Sequence, residues 1–217
     1  KIWDITSGKM IHSAALNFGN GMVAAFAPGE QPYLAGAVSN NVRLWNYQTG
    51  DGITNFVTND SGVVAMAFTP DGKLLVIGTT KGVVRVLDVA AWKVTRIIDL
   101  DSPIHSLAAT TNRILLGYGD GTVAMLKFEE QASIPEVKKQ IGAINAVAFS
   151  PKGEQFAAAS ADGTVKVWDA ETMKLLFSLG AHDGAVLSVA FSPNGREIVS
   201  GDVDGKVNCW RRPVKAP

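Results

Sequence analysis

The sequence holds a single cysteine, Cys209, in 217 residues. An internal disulfide is therefore excluded, and nothing points to an oxidising compartment. Excess charge is also missing: Lys+Arg and Asp+Glu both number 20, for a formal net charge of zero. A duplex-binding surface usually carries a basic excess, so direct contact with nucleic acid is disfavoured. No apolar run approaches the roughly 18 residues of a membrane helix and no signal peptide is visible, so membrane insertion is not expected. Spacings that hold metals or nucleotides are absent too. There is no Gly-x-x-x-x-Gly-Lys, no paired cysteine and no His-Glu-x-x-His, and His12 and His105 stand alone. Asp162-Gly163 and Asp204-Gly205 lack the alternating acidic ligands of a calcium loop. The sequence thus names no catalytic, cofactor-binding or metal-binding residue.

What is present is a repeated unit. Ile144–Asp169 contains three short apolar runs separated by Ser150-Pro151-Lys152-Gly153 and Ala161-Asp162-Gly163. Proline fixes φ and glycine accepts the left-handed conformation of a tight turn, so the stretch reads as a three-stranded antiparallel meander. The same unit returns at Val186–Trp210. Trp3, Trp45, Leu87, Leu126, Trp168 and Trp210 occupy one position in successive copies, in steps of 42, 42, 39, 42 and 42 residues. The short step falls where Thr110-Thr111-Asn112-Arg113 forms a turn without proline or glycine. In the first full copy Ser39-Asn40-Asn41 replaces the Asp-Gly hairpin, with asparagine expected to take the left-handed conformation. A period of 40–45 residues with four strands per unit is the mark of a β-propeller blade.

Phe149-Ser150-Pro151-Lys152-Gly153, followed by Ser160-Ala161-Asp162-Gly163-Thr164-Val165-Lys166-Val167-Trp168-Asp169, resembles the WD40 repeat family. The resemblance covers essentially the whole chain and is strongest in the last two copies. It implies an all-β fold, a WD40 β-propeller of four-stranded antiparallel blades, with five full repeats plus the end of a sixth. Residues 1–16 would end one blade, and 17–58, 59–100, 101–141, 142–180 and 181–217 would be successive repeats of a single domain. Two further blades would bring the ring to the seven usual in the family. In the alternative, Lys9–Leu16 completes the last blade and closes a ring of five.

The resemblance also implies a structural hydrogen-bonded network, in which tryptophan donates to a serine, the serine links to a histidine, and the histidine links to the hairpin aspartate. Only the last copy has all four residues: His182, Ser200, Asp204 and Trp210. The fourth copy keeps Asp162 and Trp168 but has Ala158 at the serine position. His182, Asp204 and Ser200 imitate a catalytic set, yet each sits where the fold requires it. By the family's habit the loops joining second to third strands, and each blade to the next, face partners. Here these give Ser39, Asn40, Lys81, Asp120, Asp183 and Asp202. The function implied is a non-catalytic, intracellular and mainly cytoplasmic scaffold for other proteins in a multi-subunit complex. An enzyme with a polar pocket at the propeller channel and a propeller in a ribonucleoprotein are the alternatives.

Overall fold

The computed structural model describes residues 1–13, 23–29, 31–58, 62–100, 102–128, 142–180 and 182–211, with backbone alone at 136–139. The polar connector Glu129–Ser133, residues 14–16 of the proposed closing strand and the tail from Arg212 to Pro217 lie outside the described residues. Contacts group the chain into two compact units, Lys1–Ser102 and Pro103–Pro217. Every described element is a β-strand. No helix is long and apolar enough to cross a membrane.

The first unit holds β1 (Ile2–Trp3) and β2 (Met10–His12), which pair with each other. Two four-stranded sheets follow: β3 (Val23–Phe26), β4 (Tyr33–Val38), β5 (Asn41–Asn46) and β6 (Gly52–Val57), then β7 (Val63–Phe68), β8 (Leu74–Thr79), β9 (Val83–Asp88) and β10 (Lys93–Asp99). The second unit begins with β11 (Ile104–Ala109), β12 (Arg113–Tyr118), β13 (Thr122–Lys127) and β14 (Glu136–Lys139). Next come β15 (Ile144–Phe149), β16 (Gln155–Ser160), β17 (Thr164–Asp169) and β18 (Leu175–Gly180). The last sheet has three strands, β19 (Val186–Phe191), β20 (Glu197–Asp202) and β21 (Val207–Arg211). Each sheet is an antiparallel meander in chain order. This is the all-β architecture of four-stranded blades that the repeat led us to expect.

Strand character follows burial. The second strands of the four-stranded sheets are covered on both faces, so they read as apolar runs such as Leu74-Leu75-Val76-Ile77. β6, β10 and β18 are wet on one face, and β10 alternates exposed and half-buried residues along its length.

The turns explain why particular residues recur. A hydroxyl just after the first strand accepts the backbone N–H that starts the second: Thr69 from Leu74 (3.1 Å), Ser150 from Gln155 (3.0 Å) and Ser192 from Glu197 (2.9 Å). Thr110 does the same for Arg113 at 3.0 Å, so a hydroxyl holds the short turn that has neither proline nor glycine. The residue after the tryptophan position caps the next turn. Asp169 Oδ1 accepts from the N–H groups of Glu171 and Thr172, and Asp88 Oδ1 accepts from that of Ala91. One expectation is corrected: at the first hairpin Ser39, not an asparagine, takes the left-handed conformation, with φ 54°. There only Ser39 and Asn40 separate β4 from β5, and the first of the two must turn the chain.

Each unit has its own packed interior. In the first, Ala35, Val42 and Leu44 pack with Val63, Met66, Phe68 and Leu75 of the next sheet, while Ile2 packs with Leu34 and Trp45. In the second, Leu115, Val123 and Met125 pack with Ile144, Val147, Phe156 and Trp168. Ala157, Ala159, Val165 and Val167 pack with Val186 of the last sheet. Arg113 adds a polar tie between the third and fourth repeats. It donates to Ala170 O at 2.9 Å and pairs with the Glu171 carboxylate.

Candidate functional site

The last repeat holds a continuous polar chain. Trp210 Nε1 donates to Ser200 Oγ at 2.9 Å. Ser200 Oγ lies 2.7 Å from His182 Nε2, and His182 Nδ1 lies 2.7 Å from Asp202 Oδ2. Donor logic orients every link. The indole can only donate and a carboxylate can only accept, so Nδ1 carries its proton and Ser200 gives its own to Nε2. Ser200 and the His182 ring are buried, and the tryptophan lies edge-on to the histidine at 6.3 Å. The bond from His182, ahead of backbone bonds from Lys206 and Asp204, holds the Asp202 carboxyl below the usual carboxylate range.

The acid in this chain is Asp202, which corrects two sequence assignments. Asp204, expected as the histidine's partner, is exposed, and its backbone N–H donates to Asp202 Oδ1 at 3.1 Å. Asp202, expected at a partner-facing surface, is 8% exposed. The reason is strand parity. β20 runs through Asp202, so Ser200 and Asp202 are two residues apart on one face and both reach His182.

In the fourth repeat the tryptophan is held differently. Trp168 stacks on Phe156, its cross-strand neighbour, with ring centroids 5.0 Å apart and planes 14° from parallel. Asp162 accepts from the backbone N–H and the hydroxyl of Thr164 at 3.0 and 2.6 Å. Burial raises its pKa, but the bonds from Thr164 and Ser160 outweigh burial and lower it overall.

The remaining candidates stand at one end of their sheets. In each sheet the start of the first strand pairs with the end of the second, as Val63 with Thr79, Ile104 with Tyr118, Ile144 with Ser160 and Val186 with Asp202. The hairpin after the second strand therefore shares an end with the start of the first. In the first unit this end carries Ser39, Asn40 and Lys81, the first and last exposed. Ser39 and Asn40 also bond through their backbones, accepting from Val63 N and Thr58 N. In the second unit it carries Asp120, which accepts from Thr122 N at 2.9 Å, and Asp183, 94% exposed and 3.4 Å from Lys206 Nζ. Tyr118 lies beside Asp120; burial and then the Asp120 charge push its hydroxyl up to about 12, so it stays protonated at neutral pH.

Sequence reasoning missed a bulge at this end of four sheets. Pairing skips Val64, His105, Asn145 and Leu187, each the second residue of a first strand. A bulge re-aims its side chain away from the ladder. His105 and Leu187 are exposed, and the His105 ring lies so close to Gly119 that a Cβ there would meet Cε1 at 2.6 Å. Asn145 Nδ2 donates across to Val186 O at 2.8 Å. The signal was in the spacing: inward residues fall three apart, as Val63 to Met66, Ile144 to Val147 and Val186 to Val189, where an unbroken strand would give two.

Among the described residues no three His, Cys, Asp or Glu side chains gather as a metal site. At the opposite end a polar cleft of about 380 Å³ is lined by Thr110, Arg113, Lys152, Glu154, Asp169 and Glu171, among others. Its charged groups Arg113 and Asp169 are already engaged in turn and inter-sheet bonds.

Repeating antiparallel sheets with a tryptophan-centred fastening define a propeller-blade protein. Family comparison places it further. The model of the WD40 family (WD domain, G-beta repeat) matches residues 136–169 and 173–211, and that of the anaphase-promoting complex subunit 4 WD40 domain matches 39–112. The chain belongs to the WD40-repeat family, whose propellers act as protein-interaction scaffolds.

Several curated proteins are similar. Telomerase protein component 1 of Mus musculus is 29% identical over 162 residues, 73% of this chain and 6% of that protein. Echinoderm microtubule-associated protein-like elp-1 of Caenorhabditis elegans is 25% identical over 130 residues, 58% of this chain and 14% of that protein. Eukaryotic translation initiation factor 3 subunit I of Drosophila willistoni is 21% identical over 150 residues, 61% and 47% of the two chains. The chain thus spans less than half the length of each of these relatives.

Proposed function

We propose that this chain is a non-catalytic docking scaffold, working inside the cell within a multi-subunit assembly, and that partners bind the hairpin ends of its sheets. The observation that carries this is the recurring bulge. Four sheets re-aim the second residue of the first strand, at the end that also carries the exposed loop residues Lys81, Asp120 and Asp183. Side chains fixed by a sheet and its bulge lose little freedom on binding, which favours affinity without ordering a loop. The names of two relatives, an initiation-factor subunit and a telomerase component, describe parts of assemblies and support the same reading.

The test is partner capture from cells by the tagged chain, with mass spectrometry. Changing His105 and Leu187 together to alanine should remove the captured partners while leaving the melting temperature unchanged. Partners retained by that variant, but lost on changing Lys152 and Glu154 at the opposite end, would refute the assignment of the binding end.

A further inference from the structure

Of the nine prolines in the chain, four follow a hydroxyl: Thr69-Pro70, Ser102-Pro103, Ser150-Pro151 and Ser192-Pro193. Proline fixes its own φ, has no backbone N–H to be matched, and disfavours helical backbone in the residue before it. A Ser-Pro or Thr-Pro pair is therefore an extended acceptor of the kind that proline-directed protein kinases read, provided that a kinase can reach it. The structure separates the four on that condition.

Three of them are committed to turns. Thr69 is fully buried, donates to the Asp71 carboxylate at 2.6 Å and accepts from Leu74 N at 3.1 Å. Ser150 is half-buried and accepts from Gln155 N at 3.0 Å. Ser192, also half-buried, donates to Asn194 Oδ1 at 2.7 Å and accepts from Glu197 N at 2.9 Å. The residue before each hydroxyl, Phe68, Phe149 or Phe191, is paired in its ladder. A kinase could take these hydroxyls only by opening the turn and the strand ahead of it.

Ser102 is placed differently. It lies past the end of β10 at Asp99 and ahead of β11 at Ile104, so no ladder holds it. Ser102 and Pro103 are both exposed, and among the described residues the Ser102 hydroxyl holds no hydrogen bond. Its backbone lies against the hairpin of the second sheet, where a Cβ on Gly82 would meet Ser102 O at 2.5 Å. The neighbour of Gly82 in that hairpin is the exposed Lys81.

We propose that Ser102 is the acceptor site of a proline-directed protein kinase. The Ser102 oxygen attacks the γ-phosphorus of ATP, the bond to the β-phosphate oxygen breaks, ADP leaves, and the hydroxyl proton passes to the base of the kinase. The product adds a charge of about −1.5 to −2 at neutral pH beside the Lys81 hairpin, and no bond of the fold is displaced. This assignment does not depend on where partners bind.

The test treats the whole folded chain with magnesium ATP and, separately, a mitogen-activated and a cyclin-dependent protein kinase, and maps phosphate by fragmentation mass spectrometry. Phosphate is expected at Ser102 alone, from at least one of the two kinases. Thr69, Ser150 and Ser192 are the internal control, since they become substrates only if the chain opens. Ser102→Ala should abolish incorporation and leave the melting temperature unchanged, because the hydroxyl holds nothing. Pro103→Ala, at an exposed position, should abolish it too. No phosphate at Ser102 from either kinase overturns the proposal. Phosphate spread over all four hydroxyls also overturns it, because that would report unfolding rather than an accessible site. Phosphate kept at Ser102 in Pro103→Ala would mean that exposure alone selects the serine, and the proline-directed assignment fails.

Discussion

The fourth and fifth repeats place a tryptophan at the same position and hold it by opposite means. Trp168 is stacked on Phe156 in an apolar interior, with Ala158 where a hydroxyl could have been. Trp210 has Ile198 across from it and donates its N–H to Ser200, which links through His182 to Asp202. Burial on both faces of the fourth sheet makes dispersion and water exclusion sufficient there. In the fifth sheet Trp210 has no aromatic ring across from it, and a chain of directed bonds takes the place of the stack. One repeat pattern therefore specifies a geometry that two kinds of chemistry can secure.

The comparison is broken most directly at Phe156. It is fully buried and stacked, so Phe156→Ala should cost about 3–5 kcal/mol, through lost transfer energy and a cavity. Ile198→Ala in the half-exposed equivalent site should cost clearly less. Denaturant unfolding of both variants measures the difference, and equal losses would show that the fifth repeat depends on apolar packing as much as the fourth.

Next in size is the polar chain. His182→Ala leaves Asp202 and Ser200 buried without their partner, at a cost of about 1–3 kcal/mol. Hydrogen exchange should localise the loss to 186–211. Loss of partner binding with stability intact would contradict a structural role. Smaller again is Ala158→Ser, which writes the fifth repeat's serine into the fourth. A hydroxyl in that buried site is costly alone, but the Trp168 N–H can meet it, so the net change should stay within about 1 kcal/mol. A larger loss would mean that the stack holds the indole away from this position.

The turns and the repeat ruler were legible because turn chemistry is local. Pro151-Lys152-Gly153 and Asp162-Gly163 state their conformations within a few residues. The identity of the acid was less legible. The Asp-Gly signal drew attention to Asp204, whereas the bond goes to whichever aspartate shares a strand face with Ser200. Parity singles out Asp202 once the end of β20 is known. The bulges at His105 and Leu187 are written in the sequence as apolar spacings of three, which a reading by turns and short apolar runs passes over.

The smallest effect discriminates the two aspartates by pH. Hydrogen bonding from His182 lowers the pKa of Asp202 in the folded chain. Its unfolded value is about 3.9. The contribution is thus fully present above about pH 4 and is lost as pH falls through the lower folded value, because the unfolded chain takes up the proton first. Asp202→Asn should remove that part of the acid dependence, so the acid limb of stability becomes shallower. Asp204→Asn changes an exposed side chain outside the chain of bonds, and it should leave the limb as it is. Melting temperatures of the two variants between pH 2 and 6 settle the matter: an acid limb that flattens with Asp204→Asn would return the histidine's partner to the hairpin aspartate.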